Sequence, residues 1–216
     1  PDYPHPEAKM VSFYPSKGGN KVGNLQLEKA PGQKLESLFD NVEYSAADLA
    51  QLDASENRLI YATGELKAPV HISGVPKVSV RMAASKEAVN LSVYLVQLPY
   101  AKGREGTQNL ITRGWADPQN ADSLKGDLDY HSLAPGKPLT PGKFVSFKFC
   151  LQPDDQVIPA GKRIGLMLLS SDKDFTIWPK PGSKLTFDLD SLKIEIPIVG
   201  GESAFKKALS EPVQAR

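Results

Sequence analysis

Eighteen prolines and seventeen glycines break this 216-residue chain into short apolar runs, several of which alternate in and out with period two. Proline lacks the amide donor that a helix interior or a central strand needs, and glycine marks turns, so their recurrence leaves room only for short elements. In residues 77–82 the alternation puts Val78, Val80 and Met82 on one face. In residues 91–97 it groups Leu91, Val93, Leu95 and Gln97, and in 143–149 and 191–196 it recurs, with Leu192, Ile194 and Ile196 turned inward. Such runs predict strands packed on one face and solvated on the other. Two further runs, 57–62 and 163–169, are apolar almost throughout and predict strands covered on both sides. Gly165 inside the second marks either a bulge or a close approach of neighbouring chain.

Helix signals are few. Ser45 with Asp48 three residues on forms a weak capping box before residues 46–52. Asp117 as N-cap with Pro118 at the first position predicts a short helix or turn, and residues 202–209 predict a last helix. Residues 100–106 are polar and glycine-containing and are expected to form a hairpin loop. Neither a repeat nor a composition break divides the chain. The expectation is a single all-β domain over residues 1–216: a jelly-roll-like antiparallel β-sandwich, galactose-binding-domain-like, with a few short helices.

Composition removes several function classes. Lys and Arg total 26 against 25 Asp and Glu, a net charge of +1, which argues against nucleic acid or anionic lipid as the main partner. The single cysteine, Cys150, forbids an internal disulfide and any cysteine-based metal site, and reads as a small half-buried strand residue. No apolar run approaches the ~18 residues of a membrane helix. The start at Pro1, proline-rich and without methionine, gives the chain the look of a piece of something longer, and no segment names a compartment.

The residues that carry bond-breaking chemistry are sparse. No Gly-x-Ser-x-Gly nucleophile elbow occurs. The histidines are His5, His71 and His131. Only His71 falls in an expected strand, and Ser73 on the same strand is about 6–7 Å away by strand spacing, beyond the reach of a Ser–His pair. The carboxylates Asp154–Asp155, Asp172 with Asp174, and Asp188 with Asp190 lack the spacing of a calcium loop and read as turn aspartates, with a structural calcium as the weaker alternative. Gly18–Gly19 and Gly200–Gly201 are turn glycines rather than phosphate cradles. No cofactor is expected. Trp115 and Trp178, at apparent strand ends, could serve as sugar platforms; sealing the sandwich or meeting a neighbouring domain is the commoner use of such aromatics.

Residues 110–120 (Leu-Ile-Thr-Arg-Gly-Trp-Ala-Asp-Pro-Gln-Asn), 151–155 (Leu-Gln-Pro-Asp-Asp) and 160–172, with earlier stretches at 45–49, 58–63, 66–74 and 90–95 and a closing Pro-Ile-Val-Gly-Gly at 197–201, together resemble the C-terminal β-domain of the X-prolyl dipeptidyl aminopeptidases. Those are serine hydrolases related to the cocaine-esterase-type acylases. The resemblance implies a non-catalytic sandwich that follows an upstream α/β-hydrolase domain in the same polypeptide. That domain holds the catalytic serine, aspartate and histidine, so none is carried onto this chain. It also implies packing beside the active-site cleft, or support of a homo-oligomer. Arg113, Trp115, Asp117 and Trp178 are the expected contact or ligand-facing residues. A carbohydrate- or ligand-binding module and the accessory domain of an esterase or acylase stand as alternatives.

Overall fold

The computed structural model describes residues 2–101, 109–126, 136–180 and 182–210. The expected loop at 100–106 and His131 therefore lie largely outside the described residues. One sheet is built from β1 (Ala8–Ser16), β3 (Leu35–Phe39), β5 (Val70–Gly74), β6 (Lys77–Ala84), β9 (Val145–Cys150), β10 (Asp154–Ile158), β12 (Lys184–Asp188) and β13 (Lys193–Val199). Its strands come in broken pairs that run end to end. The β9–β10 line lies antiparallel to β5–β6, which on its other edge meets the β12–β13 line. The outermost line is β3 beside β12 and β1 beside β13.

The second sheet runs β2 (Gly23–Gln26), β4 (Leu59–Ala62), β11 (Arg163–Leu169), β7 (Leu91–Leu98) and β8 (Leu110–Ala116). Strand β1 joins both sheets: Ala8 to Phe13 pair with β13, and Tyr14 to Ser16 pair with β2. Pro15 falls in the second half, at a sheet edge where a missing amide costs no ladder bond. The ladders are antiparallel apart from β2 with β4, which is parallel; period-two patterning carries no information on strand direction.

The two sheets face each other across one apolar core. Val78, Val80 and Met82 from β6, with Phe147 and Phe149 from β9, meet Val93 and Leu95 of β7 and Leu166 and Leu168 of β11. Helix α2 (Gly201–Ser210) closes one end, where Phe205 stacks edge-on against Phe13 at 4.8 Å. The sandwich, the capping box at Ser45, the short 3₁₀ turn Pro118–Asn120 capped by Asp117 and the terminal helix agree with the sequence.

Strand β7 does not have the solvated face its alternation suggests; all eight residues are buried. The outer face of the second sheet is covered by helix α1 (Ala46–Gln51). Ala46, Leu49 and Ala50 pack there on Ile60, Met167 and Leu169. Cys150 is likewise fully buried rather than half-buried. Gly165 lies in unbroken register and is not a bulge; a Cβ there would lie 3.0 Å from Leu98 and Val96 side chains, so the close approach is what the glycine serves.

A fully buried arginine ties α1 to the sandwich. Arg58, just before β4, donates to the carbonyls of Gly19, Asn20 and Lys21 in the β1–β2 loop, and to those of Leu49 and Leu52 at the end of α1. Burial lowers its pKa to about 10, which leaves it cationic at neutral pH. Glu36 holds the same loop from the other side, accepting from the amides of Gly18 and Gly19 and from the Tyr61 hydroxyl.

Candidate functional site

The outer face of the second sheet carries polar and aromatic side chains at its β7–β8 end. Alternation places Arg113 and Trp115 of β8 beside Tyr94 of β7, since Tyr94 pairs with Arg113 and Ser92 with Trp115. Between them, Gly114 points into the sandwich. A Cβ at this glycine would sit 2.8 Å from the Leu151 side chain and 2.9 Å from its Cα, so only glycine lets β8 lie this close to residues 150–152. That approach is bonded: Gln152 N–H donates to Arg113 O at 2.8 Å, and Thr112 Oγ1 to Gln152 O at 2.7 Å. The backbone under Arg113 is thus held on both edges.

After β11 the chain turns sharply at Asp172, which is fully buried. Its Oδ2 accepts from Trp115 Nε1 at 3.0 Å and from the Tyr94 hydroxyl. Its Oδ1 accepts from the Asp174 amide at 3.3 Å, and its backbone exchanges hydrogen bonds with Thr176. One carboxylate therefore binds the sheet face to the turn. Burial raises the Tyr94 pKa strongly, and the Asp172 carboxylate adds to this, against a smaller opposing pull from the Arg113 cation and its hydrogen bond to the Tyr94 hydroxyl oxygen. Expectation and structure meet in Asp172 as a turn aspartate bonding its own backbone, but its grip on Tyr94 and Trp115 has no local sequence signature.

The turn presents Phe175, Ile177 and Trp178 to solvent, with 52%, 95% and 48% of their surface exposed. Phe175 folds back so that the Arg113 guanidinium lies 3.8 Å from its ring centre, with the Trp115 and Tyr94 rings at 5.4 and 5.9 Å. Each aromatic face within about 6 Å attracts the cation. The four expected site residues thus separate. Arg113 and Trp115 share one aromatic cluster, and Trp178 is exposed on the turn that supplies Phe175. Trp178 sits in the β11–β12 connection rather than at a strand end. Asp117 serves the backbone, capping the 3₁₀ turn through Gln119 N–H. The sequence pointed to Arg113 and Trp115 and read Asp172 as a turn aspartate, but gave no sign of Tyr94 or Phe175, and these three complete the cluster from other strands and turns.

A second cluster lies on the β5–β10 edge. His71 Nε2 is 2.5 Å from Asp155 Oδ1, and Ser73 Oγ donates to Asp155 Oδ2 at 3.1 Å. These are the three residue types of a serine triad in the wrong connectivity: serine and histidine both bond the acid and not each other. Ser73 is fully buried and also receives the His5 amide. The His71 hydrogen bond lowers the Asp155 pKa, whereas burial raises that of Asp154. Through the His5 amide, which donates to Ser73 Oγ, the arrangement ties the segment before β1 to the sheet. Among the described residues, no group of three or more His, Cys, Asp or Glu side chains could hold a metal, and no helix is long and apolar enough to cross a membrane.

Comparison with known proteins places this geometry in context. The model of the X-Pro dipeptidyl-peptidase C-terminal non-catalytic domain matches residues 1–205. A Rhodopirellula baltica protein carrying the provisional name Xaa-Pro dipeptidyl-peptidase is 48% identical over 203 residues, covering 93% of this chain and 31% of that protein. A Bacillus cereus protein of the same provisional name is 36% identical over 202 residues, 92% of this chain and 32% of its own length. The chain thus spans about a third of the curated relatives it matches. Among solved structures, an aminopeptidase from a marine sediment Thaumarchaeota archaeon matches 92% of this chain and 38% of its own with a TM-score of 0.66 at 17% identity. An α-amino acid ester hydrolase matches 88% and 36% with a TM-score of 0.63 at 16% identity. These two share the fold.

Proposed function

We propose a role for this chain from one plain premise: it belongs to the family of X-Pro dipeptidyl-peptidase C-terminal non-catalytic domains. We read it as the accessory domain of an X-prolyl dipeptidyl peptidase-like serine hydrolase. It packs beside an upstream α/β-hydrolase domain of the same polypeptide, shapes the active-site cleft and supports any oligomer through the parent. The sandwich is read as jelly-roll-like and galactose-binding-domain-like. Bond cleavage belongs to the parent's other part, and the peptidase names of the sequence relatives favour the X-prolyl reading over an esterase or acylase parent.

The observation that carries the packing role is the exposed apolar turn Phe175, Ile177, Trp178, anchored at its start by the bonds of Asp172 to Asp174 and Thr176, beside the Arg113–Trp115 cluster. Large apolar side chains clustered at an exposed surface favour a site that another surface covers. Contacts between domains of one chain bury on the order of 600–1,500 Å². The test is Ile177→Asp with Trp178→Ala, made both in the full-length parent and in this chain. The expected result is a lowered thermal midpoint and lowered X-prolyl peptidase activity in the parent, with the isolated chain's midpoint unchanged. An unaltered parent sinks the reading.

A further inference from the structure

We propose that Arg113 is one half of an interdomain ion pair, receiving an aspartate or glutamate carboxylate from the part of the parent polypeptide that precedes this domain. The inference rests on the packing role just given and names its chemistry. Arg113 makes a hydrogen bond to Tyr94, but its Nε is buried and has no hydrogen-bond partner, and the guanidinium carries more donors than that one contact uses. Leaving a buried donor unmade costs about 1–3 kcal/mol. Among the described residues no ion pair uses Arg113. The adjacent acid, Asp172, is committed to Tyr94, Trp115 and the Asp174 amide.

Geometry selects the ligand. With Phe175 3.8 Å away across one face of the guanidinium and Nε buried, recognition falls to the terminal N–H groups, whose fork matches a carboxylate. Phe175, Ile177 and Trp178 lie exposed on the same turn and would exclude water from the pair once covered. The occupant with the strongest claim is covalently tied: about two-thirds of each curated relative lies outside the stretch this chain matches, and tethering raises its local concentration.

The test is zero-length carbodiimide cross-linking of the full-length parent carrying Arg113→Lys. The introduced amine and a carboxyl in contact with it condense to an amide with loss of water, and peptide mass spectrometry locates the bond. In parallel, hydroxyl-radical footprinting compares Phe175, Ile177 and Trp178 in the parent and in this chain alone. The expected result is a cross-link from position 113 to an acidic residue outside these 216, within one molecule, absent from the unsubstituted parent, with loss of oxidation at the three apolar residues in the parent. Protection without such a cross-link, or with one only to Asp172 or Asp174, overturns the ion pair and leaves the packing role standing. Equal oxidation in parent and isolated chain overturns the packing role and the ion pair with it. A cross-link joining isotopically labelled to unlabelled molecules assigns the face to a second copy and overturns the proposal.

Discussion

Replacing Arg58 tests the claim that a buried cation, with no carboxylate among its hydrogen-bond partners, holds helix α1 onto the sandwich. Its guanidinium donates at 2.7, 3.0 and 2.6 Å to Gly19, Asn20 and Lys21 and at 3.3 and 2.7 Å to Leu49 and Leu52. Each bond from a charged donor is worth about 1.5–3 kcal/mol, and the cost of taking the cation out of water, several kcal/mol, offsets much of that sum. Arg58→Met removes the donors but leaves the carbonyls pointed into a closed space, so the loss is set by the stranded acceptors and the loosened helix. Each buried carbonyl left without a donor costs about 1–3 kcal/mol, and removing the desolvated cation returns part of that, so the net loss should be about 3–5 kcal/mol. For a chain of this size the thermal midpoint should fall by about 6–20 °C. Arg58→Lys keeps the charge but not the fork, and one ammonium cannot reach both the β1–β2 loop and the end of α1. It should recover less than half of the loss. Circular dichroism melts with urea titrations read both variants. A midpoint for Arg58→Met within 2 °C of the parent chain (about 1 kcal/mol), or full recovery by lysine, would refute the reasoning.

Three further outcomes are expected. Gly114→Ala should cost about 1–3 kcal/mol through overpacking, because the added methyl meets Leu151 backbone that cannot swing aside; an unchanged melt contradicts the close approach. Asp172→Asn removes the anion that accepts from the Trp115 Nε1 and should shift Trp115 emission; unchanged emission denies the shared carboxylate. Asp155 has a folded-state pKa below its ordinary 3.8, so its contribution is present above that value and is lost as pH falls through the lower folded one. The stability gap between the chain and Asp155→Asn should therefore be full at pH 6 and close in acid, and a gap independent of pH between 6 and 2 counts against the His71–Asp155 clasp.

How far the sequence speaks depends on whether a feature is local. The strand at Val78, Val80 and Met82 and the box at Ser45 and Asp48 are set by neighbours in the chain, and both are legible. Strand β7 misleads because Ser92 and Tyr94 look like solvent-facing residues. Their hydroxyls bond Ser170 O and Asp172 instead, so polar atoms are satisfied inside the fold. Arg58 misleads for the same reason: arginine is rarely buried, and its acceptors are carbonyls that no pattern displays. At the candidate site, Arg113 and Trp115 share a face by simple alternation. Asp172 joins them across a separation of 57 residues, and only the pairing of β7 with β8 and β11 brings it there.

Strand β1 gives the domain a mechanical property. Its first half is zipped to β13 and its last residues to β2, so a pull along the strand axis loads two ladders in series through a single backbone. The bonds lie across the direction of pull and must slide together rather than open one by one. The two sheets should consequently yield as one body under tension. Forced extension of the chain should show one dominant rupture, and Val11→Pro, which removes a ladder amide between β1 and β13, should split or abolish it.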